Sequence, residues 1–415
     1  MKTLSNYFSN NLNYNIILNY LIILYAFCIP LSKAGISLFG ILLILFWLME
    51  RNFKEKINLI LNEKIIILVI LFLTLSFFSI LWSSDKIFAL DYLKKYWHFL
   101  ILPIIYTSLK KDNIKFVFNA FLFSMLISEI VSYGIFFELW TKDGISPTDP
   151  SPFVDHTSYS CFLAFTSFIL IYKIVYSSNL TWRYFYIIYF LTALTNLFIN
   201  GGRTGQIIFV IGIVFIFLKF VKTQVRNTTI AFIFVSLLIT LFYHYSPTFK
   251  DRLTHTYSDL SLMINEKNYT GSFSARIAMW KLGIQSFTYQ PILGNGIGDE
   301  ASNIIKEIEE KKLSYFISSN NIYYYVDFHN MFIQYLSQLG IFGIIIILLI
   351  FYYMFKIKIN NSRLNDLKNL FVILYLLWSI VALTFHINTS LTFFILFLGL
   401  FLKYSINSKE QLNVI

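Results

Sequence analysis

The chain has 415 residues, of which 57% are hydrophobic and 13% are charged. Soluble domains average about 45–50% apolar and roughly 25% charged residues, so this composition excludes an ordinary soluble domain and predicts an integral membrane protein. The net charge of +11 could suggest nucleic-acid binding, but the basic residues lie in short loops between apolar runs rather than in one patch. We therefore expect membrane lipids as partners and no nucleic acid.

Apolar segments that could cross a membrane recur along the whole chain. They predict an all-α fold, a polytopic membrane bundle of about 12 transmembrane helices. The predicted spans are 15–31, 34–50, 65–82, 97–109, 114–137, 157–175, 183–199, 205–221, 228–244, 329–355, 368–386 and 389–405.

Lysine and arginine are concentrated after the even-numbered spans, as at Arg51 and Arg363. The positive-inside rule places these loops, and hence both termini, in the cytoplasm. One loop on the opposite side is also basic, because residues 83–96 include Lys94 and Lys95. Its apolar spacing predicts an amphipathic helix on the outer membrane interface.

The segment 243–328 is the longest stretch between predicted spans, and this topology places it on the outer side. Apolar residues at helical spacing predict that it folds as short helices that cap the bundle. We therefore divide the chain into transmembrane helices 1–9 (1–242), an outer helical loop (243–328), and transmembrane helices 10–12 with a cytoplasmic tail (329–415).

Arg203 stands between Gly202 and Thr204 at the predicted outer end of the eighth span. An arginine at that depth is costly unless it has a partner, and glycines let a backbone approach a ligand closely. The pattern fits an anion cradle for phosphate, or a tight turn with a snorkelling arginine. Both alternatives stay open.

A second arginine, Arg276, lies one helical turn before Trp280. It either stacks on the indole ring or makes a second phosphate contact. Gly294, Gly296 and Gly298 follow in a pattern that resembles a dinucleotide fingerprint. No βαβ unit is predicted around them, so we expect a tight loop instead.

Two histidines are candidates for acid–base chemistry on the outer side. His329, followed by Asn330, begins the tenth span, where a histidine can act as a general base or have a structural role. His156 is a second candidate, whereas His386 lies in a short apolar turn and is predicted to be structural. The spacing of histidines and acids fits no metal site.

Four motifs together resemble the O-antigen ligase family. They are Gly-Arg-Thr at 202–204, Ser-x-Arg-x-x-x-Trp at 274–280, Pro-x-x-Gly-x-Gly-x-Gly at 291–298, and His-Asn at 329–330 before a Leu-Gly-x-x-Gly span. That family shares this core with some O-antigen polymerases and bacterial O-oligosaccharyltransferases.

The resemblance implies a glycosyltransferase of the bacterial inner membrane, active on the periplasmic face in lipopolysaccharide biosynthesis. The donor would be a glycan on undecaprenyl pyrophosphate, and the acceptor a sugar hydroxyl of lipid A-core. Arg203 and Arg276 would bind the pyrophosphate and His329 would activate the acceptor, without a metal or other cofactor and with inversion. Candidate substrate contacts are Gly202, Thr204, His156, Asn330 and Trp280.

Three other functions remain as alternatives. An O-antigen polymerase would use a second lipid-linked glycan as acceptor, and a protein O-oligosaccharyltransferase would modify a protein. A polytopic transporter is less compatible with the sequence, which lacks paired broken helices in matching halves. Tyr323, Tyr324 and Tyr325, ahead of His329, could stack on sugar rings or anchor the chain at the interface.

Overall fold

The computed structural model describes residues 13–220, 246–266, 271–299 and 327–405, together with the single residues 233, 236, 237, 240, 243, 244 and 269. All regular structure in these ranges is helical, apart from one isolated bridge between Ser146 and Asp149. The predicted all-α fold is confirmed. Most of the ninth predicted span (228–244), part of the predicted outer loop, and Tyr323, Tyr324 and Tyr325 lie outside the described residues.

The first half of the chain forms helices that start at polar caps. Asn13 Oδ1 accepts a hydrogen bond from the Ile16 amide, and Ser32 Oγ accepts one from the Gly35 amide. In chain order these helices are α1 (Tyr14–Cys28), α2 (Lys33–Met49), α3 (Phe53–Leu61), α4 (Lys64–Phe78), α5 (Lys86–Leu93), α6 (Ile101–Ser108) and α7 (Ile114–Phe136).

The second half begins after a connection without regular helices. Asp155 and Asn179 each cap the helix that follows them, through hydrogen bonds from backbone amides. The helices are α8 (His156–Tyr176), α9 (Leu180–Ile199), α10 (Arg203–Phe220), α11 (Pro247–Glu266), α12 (Ser272–Tyr289), α13 (Met331–Lys356), α14 (Ser362–Ser379) and α15 (Asn388–Ser405).

Helix length and composition indicate a multi-pass membrane protein. In the part of the chain that the structure describes, five helices are long and apolar enough to cross a membrane, or up to six if α2 and α3, bent by 117°, form one span. About twelve spans are therefore not confirmed. Helix α1 illustrates why, because its 15 residues rise only about 22 Å against roughly 30 Å of hydrocarbon.

Two helices occupy the centre of the bundle, with 83% of the spanning window buried in both α8 and α15. Phenylalanine fills the space around them: the rings of Phe162 and Phe393 lie 4.5 Å apart, and those of Phe165 and Phe397 lie 4.8 Å apart. A helix that is apolar on every side is expected to be buried in this way. Aromatic residues make up 19% of the chain, and part of them therefore fills the core.

Helix α13 is interrupted at Gly340, whose backbone adopts φ +64° and ψ −156°. The break frees backbone groups, and the glycine-rich loop bonds to them. The amides of Asn295 and Gly296 donate to the carbonyl oxygens of Ser337 and Gln338 at 2.9 and 3.0 Å. The predicted tight loop is confirmed, and it holds the end of α12 against α13.

The same loop also anchors the segment before α5. Asp299 is buried, and its carboxylate accepts hydrogen bonds from the amides of Ser84 and Asp85 and from the Ser84 hydroxyl. The Ser83 hydroxyl donates to the Ile297 carbonyl oxygen at 2.9 Å. These bonds join parts of the chain more than 200 residues apart and fix where α5 begins.

Candidate functional site

His329 lies in a tight turn directly before α13, and its backbone adopts φ +48°. This left-handed region is uncommon for residues other than glycine, although histidine is among the residues that tolerate it. Side chains hold the turn: the His329 amide donates to Asp327 Oδ1 at 2.6 Å, and the Phe328 amide donates to Gln334 Oε1 at 3.1 Å. Asn330 caps α13, because its Oδ1 accepts hydrogen bonds from the amides of the second and third helical residues.

The imidazole of His329 is 45% exposed, and its Nδ1 lies 3.9 Å from Asp327 Oδ2. A carboxylate on this side of the ring favours the tautomer with a proton on Nδ1, which leaves Nε2 as the acceptor. Partial burial raises the pKa of the Asp327 carboxyl, and the nearby charges of His329 and Lys95 oppose that rise. No role for Asp327 was predicted from the sequence.

Two further residues are linked to this turn through Asp327, because the charge of Lys95 acts on that carboxyl. Lys95 follows α5, and its Nζ lies 3.0 Å from His386 Nε2, while the ring of Tyr92 stacks on the same imidazole at a centroid distance of 3.6 Å. An ammonium group only donates, so His386 Nε2 is the acceptor. Lys95 thus contacts His386 and acts on Asp327, whose carboxylate lies beside His329, and these four residues are here called the His329 cluster. No pattern in the sequence predicts that Lys95 and His386 lie together, because they are 291 positions apart.

The glycines around Arg203 bring α10 against the first turns of α8. A Cβ at Gly202 would lie 2.5 Å from the His156 carbonyl oxygen, and one at Gly205 would lie 2.2 Å from backbone atoms of Ser160. The Gly202 amide already donates to an asparagine side chain at 2.9 Å. Close helix packing explains these glycines, and binding of phosphate by Arg203 stays a prediction. Contact of Gly202 with substrate stays a prediction.

Arg203 and His156 begin neighbouring helices. Arg203 is the first residue of α10, and its Nη1 donates to Thr256 Oγ1 of α11 at 2.5 Å. His156 is the first residue of α8, and its Nδ1 lies 3.5 Å from Asp149 Oδ2. The other oxygen of Asp149 accepts from the Gly201 amide at 3.0 Å, so one carboxylate joins the two helix starts. Thr204, the next residue of α10, is partly buried.

Arg276 is partly buried on α12, and burial lowers the pKa of its guanidinium. Among the described residues it has no hydrogen-bond, ion-pair or ring partner, and stacking on Trp280 does not occur there. The buried indole nitrogen of Trp280, one turn along α12, also has no acceptor in the described ranges. A partly buried cation without a counterion is suited to bind an anionic ligand.

A series of contacts connects the three predicted site residues. Arg203 bonds to Thr256 of α11. Three residues later in the same helix, the carboxylate of Asp259 accepts a hydrogen bond from the Phe273 amide at 3.2 Å, at the start of α12. Arg276 follows in the next turn of that helix. The buried apolar face of α12 then packs on Phe328, the residue before His329. These contacts run through intermediate residues, so convergence of Arg203, Arg276 and His329 on one cavity stays a prediction.

No group of three or more histidine, cysteine, aspartate or glutamate side chains that could hold a metal ion is found among the described residues. The two cysteines, Cys28 and Cys161, are both free.

Comparison with known proteins finds a family that matches part of the chain. A family model described as O-antigen ligase matches residues 188–348. This range runs from within α9 to within α13 and contains Arg203, Arg276 and His329, whereas Lys95 and His386 lie outside it. No curated protein matches the chain. The match confirms the resemblance predicted from the four motifs.

Proposed function

The match over residues 188–348 supports the O-antigen ligase family, and from this premise we propose that the chain is an O-antigen ligase. The family itself indicates membrane glycosyltransferase activity of the ligase or polymerase type. More specifically, the enzyme transfers a glycan from undecaprenyl pyrophosphate to a sugar hydroxyl of lipid A-core. It acts in lipopolysaccharide biosynthesis on the periplasmic face of the inner membrane, with both termini in the cytoplasm.

The observation that carries this proposal is the partly buried guanidinium of Arg276, which has no anionic partner among the described residues. A lipid pyrophosphate provides negative charge that pairs with this guanidinium. Arginine suits this ligand because its planar donors pair with phosphate oxygens in a fixed geometry. The helix that carries Arg276 packs on Phe328, the residue before His329, which supports placing the pyrophosphate near His329.

The reaction needs one proton acceptor and one stabilised leaving group. The acceptor hydroxyl oxygen attacks the anomeric carbon, and the bond from that carbon to the pyrophosphate oxygen breaks, with its electron pair passing to the pyrophosphate. Arg276 and Arg203 balance the charge that develops there. His329 Nε2 takes the hydroxyl proton, and Asp327 stabilises the resulting imidazolium. Direct attack inverts the configuration at the anomeric carbon.

Transfer by the purified full-length protein, reconstituted with lipid-linked glycan and lipid A-core, tests the proposal. Arg276→Ala should reduce kcat/KM by at least about a hundredfold, since it removes a charge from the leaving-group site. The matched control is Lys281→Ala, because Lys281 is an exposed cation of the same helix that bonds to the Tyr269 hydroxyl at 2.9 Å. Equal activity of the two variants would contradict the proposed role of Arg276.

Full activity in excess chelator is expected, and a requirement for a divalent cation would contradict the metal-independent reaction.

Deletion of the gene distinguishes a ligase from a polymerase. Loss of all O-chain from lipopolysaccharide, with lipid-linked polymer accumulating, supports the ligase. A single repeat unit still attached to lipid A-core would instead identify a polymerase, and unchanged lipopolysaccharide would exclude both.

A further inference from the structure

A cavity of about 470 Å³ lies at the end of α8 that is remote from His156. It is formed by the last turn of α8, the connection to α9, the first turn of α9, and Arg363 at the start of α14. Helix α8 has 21 residues, so roughly 30 Å separates this cavity from the first turn of α8. The cavity is therefore distinct from the candidate residues His156 and Arg203, which lie at the opposite end of α8.

Two cations converge on the cavity. Lys173 is only 9% exposed, and among the described residues its Nζ donates one hydrogen bond, to Asn119 Oδ1 at 3.3 Å, and lies 5.4 Å from the centroid of the Tyr186 ring. The guanidinium of Arg363 stacks on Tyr176, with Cζ 3.7 Å from the ring centroid. Neither cation has a carboxylate partner among the described residues, and none of the residues that line the cavity is acidic. Such a site attracts an anion, because a buried ammonium group is costly without a counterion.

The wall of the cavity also carries uncharged polar groups on a fixed loop. Asn179 caps α9 by accepting hydrogen bonds from the amides of Thr181 and Trp182. The guanidinium of Arg183 donates to the Ser177 carbonyl oxygen, which holds the connection in place. The exposed hydroxyl of Ser178 has no partner in the described ranges and can donate to a bound oxygen.

An apolar stripe leads away from the cavity along α9. Trp182 at the rim is 56% exposed, and Phe185, Ile188 and Leu191 continue at three-residue intervals, all exposed. Residues at this spacing lie on one side of a helix. Tryptophan and tyrosine at such a position are typical of the membrane interface. The cavity therefore opens where phospholipid headgroups lie, with apolar side chains placed to contact acyl chains.

We propose that this cavity binds the headgroup phosphate of an anionic phospholipid. The phosphate oxygens pair with Lys173 and Arg363, and the acyl chains follow the exposed stripe of α9. Basic pockets between transmembrane helices are a known way to hold such headgroups. The bound lipid would hold α8, α9 and α14 together on the membrane face opposite the transfer site.

Native mass spectrometry of the full-length protein in detergent tests this site. Dioctanoyl phosphatidylglycerol should bind at one site at least about fivefold more tightly than dioctanoyl phosphatidylcholine. Arg363→Gln should remove this preference. The control Lys115→Gln alters an exposed cation of α7 that does not line the cavity, and it should retain the preference. Lys173→Met gives a second variant that keeps the length of the side chain.

Three outcomes would overturn the proposal. Equal binding of the two lipids would show that the negative charge is not recognised. Unchanged preference in Arg363→Gln and in Lys173→Met would place the lipid elsewhere. Complete displacement of phosphatidylglycerol by millimolar inorganic phosphate would show that the cavity binds free phosphate and that the apolar stripe contributes nothing.

Discussion

The Ile341 amide donates a hydrogen bond to the Pro291 carbonyl oxygen at 3.0 Å, across the break in α13. An intact helix would give this amide a partner four residues earlier. Here Gly340 interrupts the helix, and the glycine-rich loop supplies the missing acceptor. The two glycine motifs of the sequence are therefore one structural unit. It fixes α12, which carries Arg276, against α13, which follows His329.

Substitution of Gly340 tests this unit. A Cβ at residue 340 would lie 2.3 Å from the Ile292 carbonyl oxygen, on a backbone with φ +64°. Gly340→Ala should therefore combine backbone strain with a steric conflict against the loop, at a cost of about 3 kcal/mol. We expect a fall of several degrees in the thermal unfolding midpoint of the purified protein, together with reduced transfer.

Gly144 provides the matched control, because its φ is +74° and no atom would lie within 4 Å of an added Cβ. Gly144→Ala carries only the backbone cost of about 1 kcal/mol. If both variants unfold at the same temperature, strain alone explains the effect and the contact with the loop has no importance.

Sequence patterns predicted the helices well because hydropathy and helical period are local properties. The predicted spans at 114–137 and 157–175 agree closely with α7 and α8. The number of spans could not be settled in the same way, because an apolar run such as 15–31 yields a helix of only 15 residues. Lys95 beside His386 was missed for a different reason: the two residues are 291 positions apart, and no periodicity reports such a contact.

The buried carboxylate of Asp299 should be needed to hold the start of α5. It accepts hydrogen bonds from two backbone amides, and removal of the carboxylate leaves both amides without their charged acceptor. Asp299→Ala should therefore expose residues 83–96 to limited proteolysis. Asp91→Ala is the control, because Asp91 pairs with Lys94 on the surface of α5, and exposed pairs of this kind contribute little. Equal protection of both variants would contradict the anchoring role.

Lys95 should contribute to glycan transfer through the His329 cluster. Its ammonium group donates a hydrogen bond to His386, and its positive charge acts to lower the pKa of the Asp327 carboxyl. Lys95→Gln should lower kcat/KM about tenfold or more, because a positive charge near the reacting groups is lost. Lys94→Gln is the closest control, since the neighbouring lysine is exposed and pairs with Asp91 at 2.8 Å. An equal effect of both substitutions would mean that only the general surface charge matters.

Asp327 should set the acid side of the pH profile of transfer. Its carboxylate stabilises the imidazolium that forms when His329 takes the acceptor proton, so activity requires the ionised form. Partial burial raises the pKa of this carboxyl. Its negative charge is therefore lost at a higher pH than for an ordinary aspartate as the solution is acidified. Asp327→Asn should lower kcat at least about tenfold near neutral pH and remove the contribution of this carboxyl to the acid limb of kcat, because the amide does not ionise. Asp91→Asn should leave the profile unchanged, and an Asp327→Asn profile identical to that of the wild type would assign the acid limb to other groups.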